Sequence, residues 1–144
     1  MRLAILALVL VAGCADGGTP VASGFGAELN SLRAGQRAGP VAPNAQLQRA
    51  AQSHAADMEQ RGYFSHQSPG GPNGTSMSDR VAASGYRACA AAENIAQGQD
   101  TEAEVMEAWR DSAGHRRNML GARYRNYGLG RSGETWVLLL AASC

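Results

Sequence analysis

The run Trp136-Val-Leu-Leu-Leu140 is the strongest constraint on the fold of this chain. A strand with one wet face alternates apolar and polar side chains. This run is apolar at every position, so both of its faces need cover, and it reads as a central strand. Tyr127-Gly-Leu-Gly-Arg131 precedes it, and the Ser132-Gly133 turn between them makes the pair a hairpin. Everything upstream reads as mostly helical. Phe25, Leu29 and Leu32 recur at helical spacing over 25–37, with Gly39-Pro40 as the stop. Asn44 is a good N-cap for a helix running to Arg61, with Gly62 beyond it. Thr75 or Ser76 caps a short helix through Ser84, ended by Gly85. Residues 86–95 read as partly extended, although the alanines weaken that reading. Thr101-Glu-Ala-Glu104 is a capping box, opening a helix that Gly114 interrupts before His115–Leu120 resume it. Helices first and strands late give an α+β domain.

The N-terminus belongs to a different problem. Leu3–Ala12 is an unbroken apolar run of ten residues. That is too short for a bilayer span of about 20 residues, and it suits a secretory signal. It ends in Val11-Ala12-Gly13-Cys14, a small-residue-then-Cys pattern that resembles a bacterial lipobox. The alternative is an ordinary signal cut a little later. The expected organisation is a signal over 1–13, a lipidated Cys14 with a flexible tether over 14–24, and one domain over 25–144. The protein would be exported and held at the membrane of the cell envelope through Cys14. By the sorting rules that Gram-negative lipoproteins follow, Ala15 beside Cys14 implies outer-membrane placement.

Of the three cysteines, Cys89 and Cys144 remain after Cys14. An exported protein can keep them as a disulfide, against the alternative of two unpaired buried thiols. All thirteen basic residues are Arg, which excludes lysine chemistry. They are scattered, so no basic stripe for nucleic acid exists.

The candidate site is assembled from few residue types. His66 and His115 lie in or beside loops, and Glu93 lies among apolar neighbours. A buried carboxylate needs partners. Two imidazoles would satisfy it, and the same three side chains would make a His/His/Glu metal site with an open position. No HExxH pattern supports such a site. His54 falls on the apolar stripe of the second helix, with Leu47, Ala50, Ala51 and Met58, and reads as a hydrogen-bonded core histidine rather than a ligand.

Several motifs together carry a resemblance. They are Leu29-Asn-Ser-Leu-Arg33, His54-Ala-Ala-Asp-Met58, Gly62-Tyr-Phe-Ser-His66, Arg80 with Gly85-Tyr86, Glu93-Asn-Ile-Ala96, Trp109 through His115 to Asn118, and Gly128-Leu-Gly130. In order and spacing they resemble the CAP superfamily (cysteine-rich secretory protein, antigen 5 and pathogenesis-related class 1), most of all its short bacterial branch. The resemblance implies an α-β-α sandwich with a central antiparallel sheet. It implies a shallow cleft with His66 and His115 as the histidines and Glu93 as an acid, and in some members zinc or another divalent cation on the histidines. It also implies that Cys89 and Cys144 are neighbours. The chain departs from the eukaryotic pattern at Ser112, where a second Glu is expected beside Asp111, and at Ala92, where Gly commonly precedes Glu-Asn. Ser112 cannot act as a carboxylate base, though its hydroxyl could orient a water or donate to Glu93. Arg116 and Arg117 read as a solvated helix face, with anchoring of the Glu93 segment as the alternative.

Three functions follow as expectations. The first is a binding module for an envelope lipid, glycan or peptide. The second is a metal-dependent hydrolase of peptides or esters, with His66 and His115 on the ion, Glu93 as third ligand or base, and Ser112 nearby. The third is a purely structural His/Glu cluster.

Overall fold

The computed structural model describes residues 24–71 and 73–144. The signal over 1–13, Cys14 and the tether through residue 23 lie outside the described residues.

Helix α1 spans Gly24–Gly35. It stops short of the expected Arg37, which instead takes a left-handed φ of 57° while the Ala38 N–H returns to the Arg33 carbonyl. Helix α2 spans Ala45–Arg61. Asn44 caps it, its side chain accepting from the Gln46 and Leu47 amides, and Gly62 ends it at a φ of 67°. Helix α3 spans Met77–Ala83 and opens on a capping box of Ser76 and Asp79. Helix α4 spans Glu102–Asp111 behind the Thr101/Glu104 capping box. Helix α5 spans Ala113–Met119. The break between α4 and α5 is at Ser112, not at Gly114. Ser112 adopts an extended φ of −87° and ψ of 119°, and Gly114 sits inside the first turn of α5.

The strands are β1 (Ala42–Pro43), β2 (Ala88–Gln97), β3 (Asn126–Ser132) and β4 (Thr135–Ser143). Among the described residues they form one sheet in the order β1-β3-β4-β2. The β2–β4 and β3–β4 pairs are antiparallel, and the two-residue β1 pairs parallel to β3. The hairpin turn is Gly133-Glu134, one residue later than the sequence suggests. Gly133 supplies the positive φ of 55° that a tight hairpin demands at its first central position.

Strand β4 shows why its run is apolar throughout. Trp136, Leu138 and Leu140 pack into a core with Phe25, Leu29, Val105, Met106, Trp109 and Met119, so that face lies under α1, α4 and α5. Val137, Leu139 and Ala141 pack into a second core with Leu47, Ala51, Ala55, Met58 and Val81, under α2 and α3. The architecture is an α-β-α sandwich. Gly128 and Gly130 let α2 lie directly on β3, because a Cβ at either position would overlap the α2 backbone at residues 47–48 or 51–52. Cys89 and Cys144 are bonded, with their Cα atoms 4.8 Å apart. The bond joins the start of β2 to the end of the chain.

Candidate functional site

Strand β2 lies at the edge of the sheet, and its alternation divides the site between the two helical layers. Glu93 pairs with Leu139 and shares its face, toward α2 and α3. Asn94 pairs with Leu138 and faces the other layer.

On the first face, the Glu93 side chain is only 2 % exposed. Arg80, projecting from α3, donates from Nη2 to both carboxylate oxygens at 3.0 and 2.8 Å. The same nitrogen donates to the His66 carbonyl at 3.0 Å. Nη1 donates to the Thr75 carbonyl and the Ser68 hydroxyl. Arg80 therefore neutralises Glu93 and also fastens the loop between α2 and α3. The His66 ring completes the contact, with Nδ1 2.9 Å from Glu93 Oε1. Its side chain is 52 % exposed. His54 lies underneath, with Nε2 3.0 Å from the Ser65 carbonyl and 3.9 Å from Glu93 Oε1. Burial pushes His54 below the ordinary histidine range and Arg80 adds to this, while Glu93 and the Ser65 contact act against it.

Further along the loop, Tyr63 donates its hydroxyl to Asp57, and Arg61 donates to Asp57 and to the Pro69 and Gly70 carbonyls. The loop that carries His66 is thus held by side chains from both flanking helices.

On the opposite face, Asn94 donates to the His115 carbonyl at 3.0 Å. Asn118 donates to Asn94 Oδ1 at 2.9 Å and to the Glu93 carbonyl at 3.3 Å. These bonds hold α5, and with it His115, against β2. Burial lowers the proton affinity of His115, and charge on His66 lowers it further. The His115 imidazole is therefore largely neutral near pH 7, with a lone pair available.

The structure brings His66 and Glu93 into contact, and Asn94 holds the His115 backbone to the opposite face of the same strand. Ser112 does not join them. Among the described residues, Glu93 has His66 and Arg80 as its side-chain hydrogen-bond partners, and the Ser112 hydroxyl does not cap α5. Arg116 donates to the Arg110 carbonyl on the exposed surface. The anchor of the Glu93 segment is Asn118 rather than either arginine. Sequence reasoning foresaw a buried His54 and a partnered Glu93, but it assigned the partnership to imidazoles and missed Arg80. The available signal was the position of Arg80 in a short capped helix, beside Val81 and one turn after Met77. Phe64, 47 % exposed, adds an apolar side chain to the same loop two residues before His66.

Among the described residues, no group of three or more His, Cys, Asp or Glu side chains is arranged to hold a metal ion. The Glu93 oxygens are taken up by Arg80 and His66.

Residues 27–137 match the cysteine-rich secretory protein family, CAP. An uncharacterized Bacillus subtilis protein, YkwD, is 37% identical over 112 residues, which is 75% of this chain and 42% of that protein. An extracellular protein containing an SCP domain from Bacillus anthracis superposes with a TM-score of 0.77 at 26% identity, over 83% of this chain and 39% of its own. An outer surface protein of Borrelia burgdorferi superposes with a TM-score of 0.71 at 18% identity, over 82% of this chain and 89% of its own, a likeness of fold alone. This chain therefore spans about two fifths of the length of the two Bacillus relatives.

Proposed function

Because this chain belongs to the CAP family of cysteine-rich secretory proteins, we propose that it is an exported binding module whose ligand docks at the edge of β2, between His66 and His115. The observation that carries this reading is the state of Glu93. Arg80 bridges both of its oxygens, so the carboxylate is already neutralised and its lone pairs are engaged. A carboxylate in that state is a poor general base and a good positioning anion. It accepts from His66 Nδ1 and so fixes the ring, which leaves Nε2 turned outward for a ligand. His115 offers another imidazole, whose proton affinity burial lowers, and Phe64 an apolar contact. An envelope lipid headgroup, glycan or peptide, each with hydrogen-bonding groups beside apolar surface, suits such a site.

A divalent cation would find His66 and His115 as donors, with Glu93 behind His66 as the orienting carboxylate. Zinc there would supply Lewis acidity to a bound ligand oxygen. Export and lipid anchoring at Cys14, with outer-membrane placement in a Gram-negative cell, belong to the same proposal. They are supported by the apolar run that ends in Gly13-Cys14 and by the disulfide, which favours an oxidising compartment.

One observation favours a second reading. A carboxylate that orients an imidazole while leaving its other nitrogen free is also the arrangement of a general base. The two readings separate in a paired experiment on the chain from Thr19 onward. Zinc is titrated by calorimetry, and ester and peptide substrates are assayed in parallel, for the wild type and for His66→Ala/His115→Ala. A binding module shows no turnover above that of the double variant, and lipid, glycan or peptide fragments shift NMR signals around His66, His115 and Phe64. Turnover that disappears in a folded His115→Ala variant overturns the binding reading in favour of the hydrolase. Micromolar zinc binding that is lost in the double variant places an ion on the two imidazoles, and absence of binding to the folded wild type removes it.

A further inference from the structure

Beside His54 and Arg80, a small cavity of about 40 Å³ lies between the His66 loop, α2 and α3. Ser53, His54, Asp57, Ser68, Asn73 and Arg80 line it. Among the described residues, two of these side chains carry buried polar atoms without a partner, His54 Nδ1 and Arg80 Nε. Orphaned groups of this kind are costly, and native proteins satisfy nearly all of them. Both side chains are almost fully buried, so bulk solvent does not reach these atoms.

The chemistry of the two atoms specifies what can fill the space. His54 Nε2 faces the Ser65 carbonyl, which only accepts, so Nε2 carries the proton of the neutral ring. Nδ1 is then a bare lone pair in need of a donor. Arg80 Nε always carries a proton and needs an acceptor. The occupant must therefore accept from one side and donate to the other. A chloride ion offers Nδ1 nothing, and a metal cation would be placed beside a guanidinium. A water molecule does both, and the space exceeds the roughly 10–15 Å³ of cavity volume that one water needs.

We propose that this cavity is a hydration site, in which a water molecule accepts from Arg80 Nε–H and donates to His54 Nδ1. Its second proton is directed at the oxygen-bearing side chains of the cavity wall. The water joins α2, through His54, to α3, through Arg80, beneath the loop. It is a fixed part of the scaffold that presents His66, and it does not depend on what the cleft binds.

The test uses the wild-type chain, labelled with ¹⁵N. Long-range proton–nitrogen correlation reads the tautomer of His54, and hydration NOEs to its ring protons detect a long-lived water. The expected result is a proton on Nε2, an accepting Nδ1 and a water NOE. Oxygen-17 relaxation dispersion should count one long-lived water fewer in His54→Phe than in the wild type. A proton on Nδ1, or a wild-type ring with no water NOE, overturns the proposal. So does a chloride-dependent shift of the His54 ring signals, which would make the occupant an anion. The wild-type measurements decide the matter even if His54→Phe fails to fold.

Discussion

Each helical layer buries an arginine, and the two are satisfied in opposite ways. Among the described residues, Arg33 on α1 has no acidic partner. Its guanidinium donates to the carbonyls of Gly39, Met119, Gly121 and Tyr124, and so closes the segment after α5 onto α1. Burial, with a contribution from Arg125, lowers its proton affinity. Arg80 on α3 is ion-paired to Glu93 and only secondarily bonded to carbonyls. The first arrangement ties backbone to backbone and leaves nothing to do chemistry. The second holds a carboxylate in place, and that carboxylate holds an imidazole facing solvent. Arg33 thus only fastens its layer, which also carries His115, whereas Arg80 fastens a carboxylate that positions His66, although both are the same residue type at similar depth.

The largest expected effects break this comparison directly. Arg80→Met leaves Glu93 buried and uncompensated, and should cost about 3–5 kcal/mol of stability. Arg33→Met leaves several carbonyls short of a charged donor, and should cost about 2–3 kcal/mol. The two arginines share no partner, so the double variant should fall within about 0.5 kcal/mol of the sum. Urea denaturation checks all three values. The readout that separates the layers is the His66 ring signal in NMR, which should move in Arg80→Met and stay in place in Arg33→Met. Movement in both would mean that the two layers are coupled at His66.

The two arginines also show what the sequence discloses and what it withholds. Elements defined by local chemistry are legible. Asn44 and Gly62 bracket α2, two capping boxes open α3 and α4, and the all-apolar β4 is central. Where the local signal is weak, the reading slips. Gly114 looks like a helix breaker, but glycine costs little in a first turn, and the chain bends at Ser112 instead. Strand β1 is two residues long and includes a proline, so no periodicity could reveal it. The candidate site depends on a relation between elements. Burial of Glu93 follows from its apolar neighbours, whereas its pairing with Arg80 requires the packing of α3 against the correct face of an edge strand. One residue of register would have turned Asn94 toward Arg80 instead. The disulfide was foreseeable from cysteine count and compartment, and its closure of the sheet edge only from the fold.

A smaller effect is a pH dependence to which both layers contribute, through His54 in one and His115 in the other. Burial lowers the His54 proton affinity in the folded state. Between that lowered value and the unfolded value near 6.5, the unfolded chain binds more protons. Stability therefore rises with pH across this window and is lost as pH falls through about 6.5. Asp57 is also shifted down, since hydrogen bonds from Tyr63 and Arg61 outweigh the opposing effect of burial. Its contribution is present above the ordinary carboxylate value of 3.8 and is lost only in stronger acid. Denaturation midpoints of the wild type should thus fall as the pH drops from about 7.5 to about 5.5. His54→Gln should be less stable at the upper end of that range and show a shallower slope. An unchanged slope would assign the acid sensitivity to other groups.

The smallest expected effect is also the finest probe, because the two layers each contain a helix opened by a capping box. Thr101 and Glu104 cap α4, and Ser76 and Asp79 cap α3. Thr101→Ala and Ser76→Ala each remove one cap, and each should cost about 1 kcal/mol. The consequences should nevertheless differ. Helix α4 is ten residues long and is secured by Val105, Met106 and Trp109 in the core, so fraying its first turn moves nothing in the cleft. Helix α3 has seven residues, and Arg80 is the fourth of them, its amide bonded to the Ser76 carbonyl. A frayed start to α3 loosens Arg80, and with it the Glu93 contact that orients His66. Amide exchange and the His66 ring signal should therefore respond to Ser76→Ala and not to Thr101→Ala at matched loss of stability. Equal responses would show that the cleft follows global stability, and that α3 has no special part in presenting it.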